Sequence, residues 1–257
     1  MNANEPGQPT TSIADPTFDL PTPTIALAIG AHPDDVEFGC GATLAKWAAD
    51  GCTIHHLVLT DGSKGTWDAH ADLVALAARR QVEQRDAARR LAGTPERAGE
   101  VVFLGRVDGE LDSDLATRAA VARVIRELRP EVVLGHDPWK RYRLHPDHRH
   151  AGLLVCEGIV AARDPHFFPG EGGRHHRPEH LLLWEADQPD HVEDETSTLD
   201  TKLAALEAHE SQFESTMQAV DLDELAAFRD RIRDRLAGLG APYGFGAAEV
   251  FARISNL

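Results

Sequence analysis

The sequence predicts an α/β fold with a mostly parallel sheet and helices on both faces. Apolar runs of strand length alternate with stretches of helical periodicity over residues 24–164. The apolar runs are continuous instead of alternating with polar residues, which is typical of parallel strands buried on both faces. A chain of 257 residues is also long enough to bury the core of one large α/β domain.

The first two strand–helix units are predicted from short apolar runs and the glycines that follow the helices. The run "TIALAIG" predicts a strand at 24–30, and helical spacing of apolar residues predicts a helix at 41–51. A second strand is predicted at 53–62 and a second helix at 73–93. Each of these helices ends at a glycine, the residue preferred just after a helix.

The next two units continue the alternation, and the pattern then becomes looser. "EVVFLG" predicts a strand at 100–105, followed by a helix at 114–130 that proline closes. "EVVLGH" predicts a strand at 131–136, followed by a helix at 148–164. The later predicted elements are a strand at 181–186, helices at 196–218 and 222–240, and a strand at 248–255.

The domain organisation is predicted to be simple. Residues 1–22 are rich in proline, threonine and polar residues, and we expect a disordered tail there. Residues 23–257 contain no internal repeat, and we expect a single domain. The amphipathic stretch 222–240 leaves a homo-oligomer open, because its apolar face would pack either on its own sheet or on a second copy.

Composition excludes several classes of partner and location. The formal net charge of −16 argues against nucleic-acid binding, which needs a basic surface. The chain lacks an apolar segment of the ~18–20 residues that a membrane helix needs, and its N-terminus lacks the features of a signal peptide. Three scattered cysteines, Cys40, Cys52 and Cys156, predict reduced thiols and a cytoplasmic protein.

Polar loops follow the predicted parallel strands, where ligands bind in such sheets. "HPDD" follows the first strand, "TDG" the second, "FLGRVDG" the third, and "HDPWKRYRLHPDH" the fourth. Because parallel strands end at the same edge of a sheet, we expect these four loops to converge. No pair of cysteines has metal-ligand spacing, so a metal at this edge would be held by histidine and carboxylate.

Two of these loops carry related segments, His32-Pro33-Asp34-Asp35 and His145-Pro146-Asp147-His148. A catalytic zinc takes three protein ligands and leaves a position for water, and His32, Asp35 and His148 provide such a set. Asp34 and His145 remain as acid–base partners, which metal-assisted hydrolysis needs. Each segment alone also fits a capped turn or helix start, with Asp as N-cap. Their shared position at one edge favours a common metal site.

A nucleotide site is the competing interpretation of the glycines near the first strand. Gly39-Cys40-Gly41, with Asp61 further along, resembles part of a dinucleotide-binding fingerprint. That fingerprint needs its glycines in the turn directly after the first strand, where this chain has "AHPDD" instead. The sequence therefore favours metal chemistry over an NAD-dependent oxidoreductase.

The ordered set of motifs resembles the PIG-L/LmbE-like family of zinc-dependent N-deacetylases. "AHPDDVEFGCGATLAKW" and "HPDHRHAG" match its two signatures, and weaker blocks match in the expected order. The resemblance covers about residues 24–215. It implies a Rossmann-like three-layer sandwich and hydrolysis of an N-acyl amide, most often N-acetyl on an amino sugar or glycoconjugate.

The resemblance also implies roles for eight residues. His32, Asp35 and His148 would bind Zn²⁺, or another divalent metal such as Fe²⁺ with the same ligands. Asp34 would be the general base, His145 would stabilise the intermediate or protonate the amine, and Asp147 would orient His145. The two residues expected to grip sugar hydroxyls are Arg80 and Asp108.

The sequence departs from the family pattern in two loops, and it leaves the substrate open. Tyr142 lies three residues before His145, not two, so it does not match the family's assisting tyrosine. Ser63 and Lys64 replace the more usual acidic residue after the second strand. A larger thiol conjugate or acylated natural product would use the same machinery. A non-catalytic metal- or sugar-binding protein is a further alternative, although such a protein would not need Asp34 and His145.

Overall fold

The computed structural model describes residues 15–257, and its strands form a single eight-stranded sheet. The strands are β1 (Thr17–Phe18), β2 (Ile25–Gly30), β3 (Thr53–Thr60), β4 (Ala98–Arg106), β5 (Val132–His136), β6 (His180–Trp184), β7 (His191–Asp194) and β8 (Ala248–Ser255). The α-helices are α1 (Asp35–Ala49), α2 (Leu73–Ala92), α3 (Leu115–Leu128), α4 (Pro146–Arg163), α5 (Leu199–Leu206) and α6 (Leu222–Gly240).

The sheet is mixed but mostly parallel. Its strand order is β1-β7-β8-β6-β5-β2-β3-β4. Only β8 runs antiparallel to its neighbours, β6 and β7. Strands β4, β3, β2, β5 and β6 are parallel, so the loops that follow them leave from one edge of the sheet.

Helices cover both faces of the sheet, which confirms the predicted three-layer α/β architecture. Side chains of β2 alternate between the faces: Ala26 and Ala28 pack with α1 and α2, whereas Leu27 and Ile29 pack with α3 and α4. Because both faces are buried, the strand must be apolar at every position. This explains why its sequence is a continuous apolar run.

The N-terminal segment differs from the prediction of a disordered tail over residues 1–22. Residues 1–14 lie outside the described residues, but 15–22 are described. Thr17 and Phe18 pair with β7, and Leu20 is buried in the core. The prediction rests on the polar composition of the whole segment, whereas the burial of this single leucine in the core fixes the segment. The ordered chain therefore begins before residue 23.

Two helix boundaries also differ from the prediction. The helix predicted at 41–51 begins at Asp35 and has a kink at Cys40, whose backbone is not helical (φ −149°, ψ 20°). The helix predicted at 196–218 ends as α5 at Leu206, and a short 3₁₀ turn and a π turn follow over 210–217. Hydrogen bonds from Ser211 to Glu83 hold this later stretch against α2, and local periodicity gives no sign of them.

The C-terminal helix packs within the chain. The apolar side of α6, including Phe228 and Ile232, is buried with residues of α5 and with Ala247. Of the two alternatives for the stretch 222–240, the structure therefore shows packing on its own chain. Across residues 15–257, none of the helices has the combination of length and hydrophobicity that crossing a bilayer requires.

Candidate metal centre and active site

The "HPDD" segment is a sharp turn between β2 and α1. Asp34 has a left-handed backbone (φ 95°), and its side chain makes no helix-capping hydrogen bond. Asp35 is the first helical residue, and its Oδ2 accepts a 2.7 Å hydrogen bond from the His32 amide. Left-handed backbone is uncommon outside glycine, although Asp and Asn tolerate it best. The capped-turn interpretation is therefore wrong for Asp34, and both carboxylates are left for other partners.

The three predicted metal ligands lie together. His32, Asp35 and His148 each offer one ligand atom, and these atoms all lie within 4.8 Å of one another. His148 Nε2 is 3.3 Å from Asp35 Oδ1, and His32 Nδ1 is 3.3 Å from Asp35 Oδ2. The two loops, distant along the chain, thus meet because β2 and β5 are neighbours in the sheet.

Carboxylates fix the orientation of His32. Its Nε2 lies 3.1 Å from Asp147 Oδ2 and 3.2 Å from Asp108 Oδ1, so its Nδ1 faces Asp35. Burial opposes a charge on this ring, but its hydrogen bonds to Asp108, Asp147 and Asp35 raise the pKa of His32 well above its ordinary value. These acids favour a positive charge at this position, which suits a divalent metal.

Asp147 is a buried hydrogen-bond partner of His32. Its carboxylate is completely buried and contacts His32 rather than His145. It also accepts hydrogen bonds from the amides of Gly109 (2.6 Å) and Leu111 (3.2 Å). The hydrogen bonds of Asp147 thus go to residues other than His145, and a role of Asp147 in orienting His145 stays a prediction. Asp147 is not the N-cap of α4 either, since His145 occupies that position.

Arg80 lines the cavity, and the expectation that it grips a sugar hydroxyl stays a prediction. Its buried guanidinium donates to the carbonyl oxygens of Gly62 (2.9 Å) and Pro33 (2.5 Å) and to Asp34 Oδ2 (3.2 Å). The structure thus makes Arg80 a support for Asp34 and the "HPDD" turn. Asp108 lines the cavity but is already engaged by His32 and by the Lys64 amide, 3.0 Å away.

Asp34 and Asp35 are neighbours with opposite pKa shifts. Burial raises the pKa of Asp34 to about 6, and the charge of Asp35 adds to this effect while Arg80 opposes it. Burial would also raise the pKa of Asp35, but His148 and His136 lower it well below its ordinary value. One carboxylate is therefore set to stay ionised, and the other can take up a proton near neutral pH.

His145 stands at the mouth of the site. Its side chain is exposed, and its ring lies 4.8 Å from the ring of His148 in a stacked arrangement and 4.7 Å from the ring of His32. Burial, together with the charges of these two histidines, lowers the pKa of His145. A neutral His145 can both donate and accept a hydrogen bond at the open side of the group.

The site opens into a cavity of about 480 Å³. Sequence reasoning missed several of its lining residues, namely His136, Trp184, Glu185, Gln212, Thr216 and Arg235. His136 and Glu185 lie at the carboxyl ends of β5 and β6, and both also fall at the ends of the predicted strands 131–136 and 181–186, so this position could have identified them. Gln212, Thr216 and Arg235 reach the cavity through the packing of the C-terminal segments; Gln212 lies in "AHESQF", one of the weaker family blocks, whereas no motif indicated Thr216 or Arg235.

The glycines of the nucleotide fingerprint and Tyr142 are not part of the metal-ligand cluster. Gly39, Cys40 and Gly41 lie within α1 and not in the turn after β2, which agrees with the rejection of the nucleotide fingerprint. A Cβ at Gly39 would come within 2.5 Å of the Trp184 ring, so glycine is required for this close packing. Tyr142 is exposed and does not line the cavity.

Comparison with known proteins identifies the family. Residues 27–159 match the model of the family described as PIG-L: GlcNAc-PI de-N-acetylase. The chain is a member of the PIG-L family. A relative from Thermococcus kodakarensis, described as diacetylchitobiose deacetylase, is 36% identical over 190 residues, which are 73% of this chain and 69% of that protein.

Two further matches are also described as deacetylases. A deacetylase of 1D-myo-inositol 2-acetamido-2-deoxy-α-D-glucopyranoside from Rhodococcus opacus is 34% identical over 161 residues, which are 55% of this chain and 55% of that protein. The solved structure of N,N′-diacetylchitobiose deacetylase from Pyrococcus horikoshii, complexed with its inhibitor, matches with a TM-score of 0.80. It is 27% identical in sequence, and the match covers 91% of this chain and 84% of that one.

Proposed function

We propose that this PIG-L protein is a metal-dependent hydrolase that removes the N-acetyl group from an amino sugar or glycoconjugate, giving acetate and a free amine. The observation that carries the proposal is the presence of two acid–base groups, Asp34 and His145, beside three clustered metal-competent side chains in one cavity. A site that only bound metal would need the three ligands and not the other two residues.

The residues fit a divalent metal. His32, Asp35 and His148 would hold it, and two imidazoles with one carboxylate are a ligand set used by catalytic zinc. Zn²⁺ is the proposed metal, and Fe²⁺ is the alternative that the same ligands accept. When bound, the ion supplies a Lewis acid that polarises the amide carbonyl and lowers the pKa of water.

Asp34 is the proposed general base. Arg80 engages Oδ2 of Asp34, which leaves Oδ1 to accept a proton from the attacking water. The amide of Asp34 donates to Gln84 Oε1 at 2.9 Å, so both the backbone and the side chain are held. The raised pKa of Asp34 suits a group that takes up a proton and later returns it.

His145 is the proposed donor at the open side of the site. A neutral imidazole can donate its N–H to the oxygen on which charge develops as water adds to the carbonyl. The proton that Asp34 has accepted then passes to the amine nitrogen as the C–N bond breaks, directly or through His145. The reaction consumes one water molecule and leaves both residues in their starting states.

The proposal extends to the partners, the cellular location and the oligomeric state of the protein. The proposed partner is a small N-acetylated sugar or glycoconjugate, and contact of Asp108 with a sugar hydroxyl stays a prediction. The predicted exclusion of nucleic acid rests on the net charge of −16. A cytoplasmic location is supported by the three free thiols of the described chain. Homo-oligomerisation is not tested by this structure and stays a prediction.

The test combines elemental analysis with amine-release assays. We expect about one zinc or iron per purified chain, together with release of amine from N-acetylglucosamine or N,N′-diacetylchitobiose that a chelator abolishes. Release from a bulkier acylated conjugate but from neither sugar would favour the larger-amide alternative. Metal or glycan binding without release from any of these amides would contradict the proposal and favour a binding protein.

A further inference from the structure

His136 lies against the proposed metal ligands but is not one of them. It is the last residue of β5, and its side chain is 2% exposed. Its ring is stacked on that of His148, with centroids 4.4 Å apart. Its Nε2 is 3.2 Å from Oδ2 of Asp35. A buried imidazole in contact with two proposed ligands is placed to affect how both of them bind.

The partners of His136 determine its tautomer. The indole N–H of Trp184 points to Nδ1 of His136 at 3.0 Å, and Nη1 of Arg143 lies 3.3 Å from the same atom. Both groups can only donate hydrogen bonds, so Nδ1 must be an acceptor without a proton. The ring is therefore neutral, and its single N–H is at Nε2.

The backbone fixes this pairing. His136 and Trp184 are directly paired in the register of the parallel strands β5 and β6. Trp184 is itself 2% exposed, and its ring packs against Gly39 of α1, where a side chain would clash. The donor to Nδ1 is thus held by the sheet and by a helix, and the tautomer of His136 is built into the fold.

The N–H of His136 faces one oxygen of Asp35. Nε2 lies 3.2 Å from Oδ2, but the approach is too bent for a hydrogen bond, and Nε2 has no hydrogen-bond partner among the described residues. The same oxygen accepts the amide hydrogen bond of His32 at 2.7 Å. The other oxygen, Oδ1, lies on the side of His148 Nε2, 3.3 Å away. The His32 amide therefore holds Oδ2, the unpartnered N–H of His136 lies against the same oxygen, and Oδ1 is left to bind a metal.

The same geometry argues against a second metal at His136, His148 and Glu185, whose ligand atoms also lie close together. Arg143 lies among these three side chains, with Nη1 2.7 Å from Glu185 Oε2 and 3.5 Å from His148 Nδ1. A guanidinium already supplies the positive charge there. With its proton at Nε2, His136 also has no lone pair to offer a metal near Asp35.

We propose that Trp184 and His136 form a positioning pair that orients Asp35 as a one-oxygen metal ligand. This inference rests on the metal site of the proposed function. Groups that orient ligands through hydrogen bonds contribute 10–100-fold to metal affinity in characterised sites. The effect of this pair is therefore expected mainly in metal affinity, and it should depend on an N–H at the position of His136 Nε2.

Three variants test the pair by Zn²⁺ affinity, measured in competition with a chromophoric chelator. His136→Leu removes the N–H and should weaken zinc binding about 10–100-fold. His136→Gln places an amide N–H near the position of Nε2 and should bind within about 3-fold of the wild type. Trp184→Phe keeps an aromatic ring but removes the donor to Nδ1, and its zinc affinity should fall between those of the other two variants. The Co²⁺-loaded proteins should show a changed visible spectrum for His136→Leu only.

His191→Leu is the matched control. His191 is also completely buried and also contacts a carboxylate, Glu193, at 2.8 Å. Its loss should lower stability without changing zinc affinity. If His136→Leu does not fold, Trp184→Phe and His136→Gln provide the comparison, because glutamine is close to histidine in volume and phenylalanine keeps an aromatic ring at position 184.

The outcomes separate this inference from the proposed function. Wild-type affinity in both His136→Leu and Trp184→Phe would overturn the positioning pair while leaving the metal site intact. Equal loss of zinc in His136→Gln and His136→Leu would also overturn it, since the ring itself would then be a ligand. A wild-type protein that binds no zinc, iron or cobalt would overturn both proposals.

Discussion

At the scale of single residues, the two adjacent aspartates of "HPDD" have different surroundings because the backbone turns between them. The left-handed backbone of Asp34 turns the chain away from the direction of β2, and Asp35 is the first residue of α1. Their side chains consequently meet different partners: Arg80 lies against Asp34, whereas histidines surround Asp35. Two identical side chains, one residue apart, thereby acquire pKa values shifted in opposite directions.

Asp34→Asn tests the role of the base directly. Asparagine tolerates the left-handed backbone and keeps the size of the side chain, but its amide does not accept the proton of water. We expect turnover to fall about 10²–10⁴-fold, with metal content unchanged by elemental analysis. Asp35→Asn is the comparison, and it should lose metal as well as activity. Turnover of Asp34→Asn near that of the wild type would show that another group is the base.

At the scale of elements, buried charges anchor α1 to the antiparallel part of the sheet. Glu249 of β8 accepts hydrogen bonds from the amides of Ala42 and Thr43 at the kink of α1. The Thr43 hydroxyl contacts Glu249 Oε2 at 2.6 Å and Glu195 Oε1 at 2.9 Å. One hydroxyl has one proton to donate. A stable arrangement therefore needs a proton on one of the two carboxylates.

The surrounding charges indicate that Glu195 carries this proton. Burial, together with the charge of Glu249, raises the pKa of Glu195 to about 8. Lys46, 3.4 Å from Glu195, opposes this shift, and Glu193 adds to it. Lys202 pairs with Glu249 at 2.5 Å. The neutral Glu195 then donates to the Thr43 hydroxyl, which donates to Glu249.

Glu195→Gln should therefore change how stability depends on pH. The folded pKa of Glu195 is above its unfolded value, so its contribution to stability is complete below about pH 4.5 and decreases as the pH rises towards about 8. Glutamine imitates the protonated form at every pH. The free energy of unfolding of wild type relative to Glu195→Gln should fall by up to ~1.4 kcal/mol per pH unit over this window.

Urea denaturation of the two proteins at matched pH values between 5 and 8 measures this difference. The titrations of the metal-binding residues are common to both proteins and cancel in the comparison. A constant difference between wild type and Glu195→Gln across the range would contradict a protonated Glu195.

At the scale of the whole molecule, the segment before the first long strand closes one end of the sheet. β1 pairs with β7, and Leu20 is 7% exposed in the core on the α1 side. Lys46 of α1 contacts Asp19 at 2.8 Å and Glu193 of β7 at 2.6 Å. The segment thus connects the helix layer with the far edge of the sheet, distant from the proposed metal centre.

Leu20→Ala tests whether this closure contributes to stability. Removing a buried leucine side chain near the edge of the core should lower the free energy of unfolding by about 2 kcal/mol, as measured by urea denaturation. Thr22→Ala, at an exposed position two residues away, is the control and should stay within about 0.5 kcal/mol of wild type. Zinc affinity should be unchanged in both. A Leu20→Ala protein as stable as wild type would show that the segment adds nothing to the fold.

The sequence by itself determined the alternation of strands and helices, the edge where the polar loops meet, and the residues His32, Asp35 and His148 that lie together there. These features follow from local patterns, because a strand buried on both faces must be apolar and parallel strands end at a common edge. Only the tertiary structure decided that Asp147 contacts His32, that Arg80 holds Asp34, and that His136 and Trp184 lie beneath Asp35. Those contacts depend on strand order, register and the packing of segments far apart in the chain, and short-range periodicity contains no information about which distant side chains will face each other.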